Sequence, residues 1–344
     1  MAATVEGVDA AKVTAWFEAN ADAVSAPLTF DLIAGGHSNL TFKVTDAAGR
    51  AWVLRRPPLG QVLATAHDMT REHTIISALG PTPVPVPSTI GLCTDPEVNG
   101  APFYVMDHVD GLVVRGAPEA EALTLDQRRR AGESIVDTLA LIHAVDPDAV
   151  GLGELGRKEG YVERQLKRWY QQWEKSKTRE LPAVDEVHDR LLAAIPDQGA
   201  AGIVHGDYRL DNCMIDRDGS VIAVLDWELC TLGDPMADVG LLMVYWAEAD
   251  DPTSALPGAA TSLPGFPTRA ELLDRYAAAS GRDLSHIDFY IAFAYWKLAC
   301  ILEGVYARYA GGSMGSGGGD FSFFAQQVAY LADAAHAATD RIQA

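Results

Sequence analysis

Residues Val204–Ala237 read VHGDYRLDNCMIDRDGSVIAVLDWELCTLGDPMA, and this stretch decides the fold. Two short apolar runs, Cys213–Ile215 and Val221–Leu225, flank the polar turn Asp216-Arg217-Asp218-Gly219, a pattern that predicts a β-hairpin. Asp207 and Asn212 precede its first strand and Asp226 ends its second. Closing the hairpin is therefore expected to draw the three side chains towards one point.

Two carboxylates brought together repel unless a cation lies between them. Mg2+ suits the place, because it prefers oxygen ligands, keeps several waters and takes only one or two protein groups besides substrate phosphates. Asn212 and Asp226 would suffice as metal ligands, which leaves Asp207 for another task. In His205-x-Asp207-x-x-x-x-Asn212 the Asp precedes the Asn by the spacing of a kinase catalytic loop. There the carboxylate takes a hydroxyl proton and the amide holds metal. Arg209 can place its charge over a transferring phosphoryl group, since a guanidinium matches phosphate oxygens bidentately. A lone His-Gly-Asp is often only a turn, and a lone Asp at a strand end is often a helix cap. Motif, hairpin and terminal Asp occurring together and in order favour catalysis.

The strings HGDYRLDN (205–212), LDWE (225–228) and GDPMAD (233–238) resemble the aminoglycoside phosphotransferase and choline kinase superfamily. The fuller string LDWELCTLGDPMADV (225–239) most resembles the kinase-like domain joined to some acyl-CoA dehydrogenases and its stand-alone bacterial relatives. The resemblance covers nearly the whole chain and is sharp only in these motifs. It implies an α+β, two-lobed protein-kinase-like fold: a small N-lobe (1–107) with an antiparallel sheet and one helix, and a larger, mostly helical C-lobe (108–344). It also implies ATP with Mg2+ and phosphorylation of a small-molecule hydroxyl.

At 344 residues the chain can bury a substantial core, and 48% hydrophobic with 22% charged residues is a globular composition. A net charge of −20 argues against non-specific nucleic-acid binding, which needs a basic surface to displace counterions. Cys93, Cys213, Cys230 and Cys300 form no C-x-x-C pair and read as reduced core residues rather than a zinc site or disulfide framework. The first residues show neither a basic start nor an apolar run, and no stretch reads as long enough to span a bilayer. The expectation is a cytoplasmic protein with no membrane partner; oligomeric state is not encoded in any pattern found.

Val8–Asn20 predicts an amphipathic helix with Val8, Ala11, Ala15 and Trp16 on its packed side. Leu28–Ile33, Leu40–Thr45 and Ala51–Arg56 predict three strands, with Gly35, Gly36, His37, Ser38 and Asn39 in the loop after the first. In the kinase-like reading that loop covers the ATP phosphates, although it is not G-x-G-x-x-G. Arg55 falls where the family expects a phosphate-contacting lysine, and a planar guanidinium is not a simple replacement for a point charge. Thr65–Leu79 predicts a helix whose Glu72 would pair with Arg55 or Arg56. Prolines 81, 83, 85 and 87 make an extended connector into a strand at Ser88–Cys93. Phe103–Asp107 predicts a buried strand whose exit, by resemblance, is the hinge where main-chain groups near Met106 and His108 meet adenine.

Beyond it, Leu125–Val145 carries a helical stripe of Ile135, Leu139 and Ile142, with His143 as a capping or core histidine. Tyr161–Lys177 predicts a helix with Arg164, Lys167 and Arg168 on one face, either a solvated face or a grip for an anionic substrate tail such as the phosphates of coenzyme A. Asp234 reads as a cap and Asp238 as a buried support for the backbone of the catalytic loop; with His205 they are the structural supports of the site. Ala255–Pro267 reads as a surface loop, Phe289–Tyr309 as a core helix, Gly311–Gly319 as a linker or flap, and Phe324–Ile342 as a final helix.

Two acceptors stay open within one chemistry, a hydroxyacyl-CoA or related alcohol and an aminoglycoside or other amino alcohol. A third reading is of another class, a nucleotide-binding regulator with little catalysis, for which Arg55 in place of lysine and the absence of G-x-G-x-x-G are the support.

Overall fold

The computed structural model describes residues 5–34, 39–59, 68–251, 259–311 and 322–342. In chain order the elements begin α1 (Ala10–Asn20), β1 (Thr29–Ala34), β2 (Leu40–Thr45), β3 (Ala51–Arg56), α2 (Met69–Leu79), β4 (Thr89–Cys93), α3 (Pro96–Asn99) and β5 (Phe103–Asp107). They continue with β6 (Leu112–Val113), α4 (Ala117–Glu121), α5 (Leu125–Ala144), α6 (Tyr161–Ser176), α7 (Pro182–Ala193), β7 (Gly202–Val204), β8 (Cys213–Ile215) and β9 (Val221–Val224). The last are β10 (Thr231–Gly233), α8 (Met236–Tyr245), α9 (Arg269–Ser280), α10 (Ile287–Ala310) and α11 (Ser322–Thr339). This is an α+β chain in two compact units, Met1–Gly111 with Ile222–Glu228, and Leu112–Val221 with Leu229–Ala344.

The first unit is built on a five-stranded sheet in the order β1-β2-β3-β5-β4, with antiparallel neighbours throughout. Strand alternation gives the sheet two faces. Phe42, Val44, Trp52, Leu54, Phe103 and Val105 join Val13 and Phe17 of α1 in one apolar cluster, with Phe17 edge-on to Trp52 at 5.5 Å. Of the expected packed side of α1, Val8 and Trp16 do pack against this cluster, but Ala11 and Ala15 are exposed, and the pair one turn apart that the sheet buries is Val13 and Phe17. Size explains the difference, since a phenyl ring removes far more apolar area from water than an alanine methyl. On the other face α2 buries Met69, Glu72, Ile75, Ile76 and Leu79. Its N-cap Asp68 accepts from Arg71 N at 3.1 Å; the predicted start at Thr65 lies outside the described residues.

The second unit is mostly helical. Ile135, Leu139 and Ile142 of α5 are fully buried, as are Trp296 and Cys300 of α10, as their spacing predicts. All four cysteines are buried and free. By length and composition α10 could cross a membrane, contrary to the expectation that no stretch would be long enough. Its apolar residues instead pack within the unit, against α6, α7, α8 and α11. The end of the predicted surface loop is also corrected. Ala260 and Thr261 are buried, and Pro267 O accepts from Trp246 Nε1 at 2.8 Å, so this composition-poor stretch closes over the core.

Candidate active site

Residue parity on two strands builds the charged cluster of the first unit. On β3, Trp52, Leu54 and Arg56 share one face while Val53 and Arg55 share the other, so only Arg55 can turn towards α2. Arg56 goes the other way, to the carbonyls of Gly7 and Asn99. Arg55 Nε lies 3.1 Å from Glu72 Oε2, and Arg55 Nη2 lies 2.6 Å from Asp226 Oδ1 and 3.8 Å from Glu228 Oε2. Of the alternatives Arg55 or Arg56 for the partner of Glu72, the structure selects Arg55.

Glu72 is only 1% exposed and needs these partners. It accepts from Tyr104 Oη at 3.0 Å and from Asn39 Nδ2 at 2.9 Å, and the same Asn39 amide reaches Glu228 Oε2 at 3.3 Å. Burial pushes the Glu72 carboxyl up, against the opposing pull of Arg55 and the Tyr104 hydroxyl. Burial also works against the Arg55 charge, yet Glu72, Tyr104 and Asp226 outweigh it and raise the guanidinium above its ordinary value. Asp226 has φ 63°, a left-handed backbone that is uncommon for non-glycine residues and that Asp adopts more readily than most. Asn39, Arg55, Glu72 and Asp226 are thus brought together. Tyr104 and Glu228 join them unforeseen, although Tyr104 could have been found from its parity with Met106 on β5. Met106 is buried and pairs with Val53 and Thr89; His108 follows the strand, its imidazole pushed down by burial and by Lys43. Gly35, Gly36, His37 and Ser38 lie outside the described residues, as does 312–319 of the predicted linker.

In the second unit the loop after β7 hangs on Asp238, a 1% exposed carboxylate in the first turn of α8. Asp238 accepts from His205 N at 2.6 Å and Gly206 N at 2.9 Å, and His143 Nε2 stands 3.5 Å away with its Nδ1 2.7 Å from Tyr276 Oη. Gly206 is required at the bend: its φ is 88°, and a Cβ there would stand 2.9 Å from Leu229 O. His205 is fully buried and its Nδ1 lies 3.3 Å from Asp207 N, placed to accept. Asp234 Oδ1 accepts from Met236 N at 3.1 Å and its Oδ2 from Tyr290 Oη at 2.6 Å, which satisfies the start of α8.

On this support Asn212 Nδ2 donates to Asp207 O at 2.8 Å and to Asp207 Oδ2 at 3.1 Å. Arg209 Nε lies 3.4 Å from Asp207 Oδ2 and 3.0 Å from Asp211 Oδ1, and its guanidinium sits 5.0 Å from the Tyr245 ring centroid. Asp211 is pushed up by burial, with Arg209 opposing and Asp207 adding. A cavity of about 330 Å3 borders Arg209, Asp211 and Tyr245 together with Val114, Arg115 and Phe323. Sequence reasoning passed over Tyr245 and Lys297; the latter is a lysine in the apolar run of α10, and that interruption was the available signal. Burial pushes the Lys297 amine down, while Asp238 and Asp207 oppose the shift.

The oxygens present suit a hard cation. Within the second unit Asn212 spends its amide nitrogen on Asp207 and its Oδ1 makes no hydrogen bond among the described residues. Within the first unit the Asp226 carboxylate meets Arg55. No group of three or more His, Cys, Asp or Glu that could hold a metal occurs among the described residues. Mg2+ does not require one, because water and phosphate complete its shell.

The Asp238 anchor makes stability pH-dependent. Burial would raise its carboxyl, but His143, His205 and the Gly206 N–H outweigh that and hold it below the usual 3.8. A depressed folded value means the stabilisation is full above the unfolded value and is lost as pH falls through the folded one. The stability gap between wild type and Asp238→Asn, measured by urea unfolding, is expected to narrow steadily from about pH 5 to about pH 2. A gap independent of pH would exclude this account.

The sheet and helical units define a kinase-like α+β fold, with a loop in which an amide, Asn212, holds a carboxylate, Asp207. The chain belongs to the phosphotransferase enzyme family (APH), whose profile matches residues 29–288. Acyl-CoA dehydrogenase family member 10 of Mus musculus is 35% identical over 277 residues, 79% of this chain and 26% of that protein. Family member 11 of Homo sapiens is 33% identical over 313 residues, 90% of this chain and 40% of that protein. The chain therefore spans well under half the length of these relatives. A crystal structure from Ralstonia eutropha JMP134, provisionally described as an aminoglycoside phosphotransferase, superposes with TM-score 0.82 at 31% identity, covering 98% of this chain and 99% of that one. The aminoglycoside phosphotransferase APH(4)-Ia, in a ternary complex with AMP-PNP and hygromycin B, shares the fold at TM-score 0.63 and 15% identity, covering 94% and 97%.

Proposed function

We propose that the protein transfers the γ-phosphoryl group of ATP to a hydroxyl of a hydroxyacyl-CoA or related alcohol. The observation that carries the reading is the Asp207–Asn212 pair: one amide fixes both the carbonyl and the carboxylate of Asp207 while keeping its own oxygen for a metal. The acceptor oxygen attacks the γ-phosphorus as its proton passes to Asp207; the bond to the β-phosphate bridging oxygen breaks and ADP leaves. Arg209 places positive charge over the transferring phosphoryl group and, 3.4 Å from Asp207 Oδ2, keeps that carboxylate oriented. Arg55, ordered by Glu72, orders the remaining phosphates, and Asn39, Met106 and His108 belong to the nucleotide side. Asn212 and Asp226 would hold Mg2+, which when bound neutralises phosphate charge.

The acyl-CoA dehydrogenase family membership of the relatives supports the thioester acceptor. An aminoglycoside O-phosphotransferase is the second reading, favoured by the Ralstonia structure. The test is a phosphate-transfer assay with ATP and Mg2+ on a hydroxyacyl-CoA series and an aminoglycoside panel. We expect turnover on the thioesters with kcat/KM at least about tenfold above any aminoglycoside. The reverse order would replace the first reading by the second, and nucleotide binding without transfer to either would favour a weakly catalytic regulator.

A further inference from the structure

A groove of about 530 Å3 runs between α6 and α10, away from the groups given roles in phosphoryl transfer. Arg168, Gln171, Gln172 and Lys175 line it from α6, and Gly304 and Arg308 from α10. The Gln172 amide occupies the space beside Gly304, where a Cβ would lie 2.9 Å from Gln172 Nε2. Among the described residues no carboxylate lines the groove.

In a chain of net charge −20 this is unusual. Elsewhere in the unit Arg129, Arg190, Arg269, Arg275 and Arg341 each stand against a carboxylate. Among the described residues Arg168, Lys175 and Arg308 form no such ion pair, although acids outnumber bases in the chain. Three cations lining one groove repel one another, and an incoming anion relieves that repulsion. The two amides add donors of the kind that phosphate oxygens accept.

Arg168, at the groove, shares an aromatic neighbour with a second cation of α10. The Arg168 guanidinium lies 5.1 Å from the Trp169 ring centroid, and the Lys297 ammonium 5.9 Å from the same ring. Asp207 in turn opposes the downward push that burial exerts on Lys297. From Lys297 to Arg308, α10 rises about 16 Å. That is the scale on which a pantetheine arm separates a thioester from its pyrophosphate.

We propose that the α6–α10 groove binds the phosphorylated adenosine end of a coenzyme A thioester whose acyl hydroxyl is presented to Asp207. This rests on the thioester reading above and deepens it, since a polycationic aminoglycoside would be repelled by the same groove.

Calorimetric titration of the full chain with free coenzyme A tests the groove without turnover. Wild type is expected to bind. Lys175→Glu with Arg308→Glu should weaken binding by at least about tenfold, and the milder pair Lys175→Gln with Arg308→Gln by less. The neutral pair keeps the test sound if charge reversal disturbs folding. Removing the ligand's own 3′-phosphate should shrink the effect of the substitutions. Binding of coenzyme A that is unchanged in both pairs, or absent in wild type, overturns the proposal. So does an equal loss of ATP binding, which would make the groove a nucleotide site. If coenzyme A binding depends on the groove but no hydroxyacyl thioester is phosphorylated, the groove assignment stands and the acceptor reading falls. If thioesters are phosphorylated and the charge-reversed pair leaves KM for them unchanged, the acceptor reading stands and the groove assignment falls.

Discussion

Asp207→Asn is expected to lower kcat for phosphoryl transfer by about 10^2- to 10^4-fold, the range that one positioned general base supplies, while nucleotide affinity stays within about twofold. The substitution is nearly isosteric, and the structure says what it spares. Asn212 Nδ2 would still donate to the carbonyl of residue 207, Arg209 would keep Asp211 as a partner, and the Asp238 bonds to His205 and Gly206 do not involve the Asp207 side chain. What disappears is the proton acceptor and one negative charge beside Arg209. Steady-state transfer kinetics, paired with a nucleotide titration, separate the two. Turnover close to wild type would take the base role from Asp207; equal loss of turnover and nucleotide affinity would mean that the loop had moved.

The fold was legible wherever local chemistry and packing agree. β2, β3, β5 and β8 run between the residues that alternation and turn chemistry mark, and the Asp216–Gly219 turn closes with Gly219 at φ 89°. Helices with a strong apolar stripe were legible too. Among the helices left unread, α9 is held by Leu272 and Tyr276, and α7 buries Val184, Val187, His188 and Leu191. Their partners lie far along the chain, which no local window contains.

The candidate site divides along the same line. His205, Asp207, Asn212, Asp226 and Asp238 sit in one motif-bearing stretch and could be read as a set. Glu228 was printed two residues beyond Asp226, yet only the folded chain shows it beside Arg55 and Asn39. Lys297 and the basic groove depend on which faces of α6 and α10 meet, and sequence gives the faces without the meeting. Arg55 is intermediate: alternation on β3 was enough to prefer it over Arg56, had the parity of Trp52 and Leu54 been used.

Arg55 also carries the largest expected loss of stability. Replacing it by methionine keeps much of the volume but leaves Glu72, 1% exposed, without its cation. Breaking a buried pair from one side costs about 3–5 kcal/mol, because the remaining charge keeps its desolvation penalty. Tyr104 and Asn39 still donate to Glu72 and place the loss towards the lower figure. The pH dependence gives the cause away. Glu72 is already raised above its ordinary 4.5 by burial with Arg55 opposing, and removing Arg55 raises it further. For a raised acid the folded state holds the proton more tightly, so the penalty is absent below the unfolded value, grows as pH rises towards the folded value and is complete above it. Urea unfolding of Arg55→Met should therefore show a deficit against wild type that is large near about pH 8 and smaller near about pH 5. Arg55→Lys should recover only part of it, because one ammonium cannot reproduce a guanidinium whose Nε meets Glu72 while its Nη2 meets Asp226. A deficit that does not change with pH would assign the loss to packing, and full recovery by lysine would show that the charge matters and the fork does not.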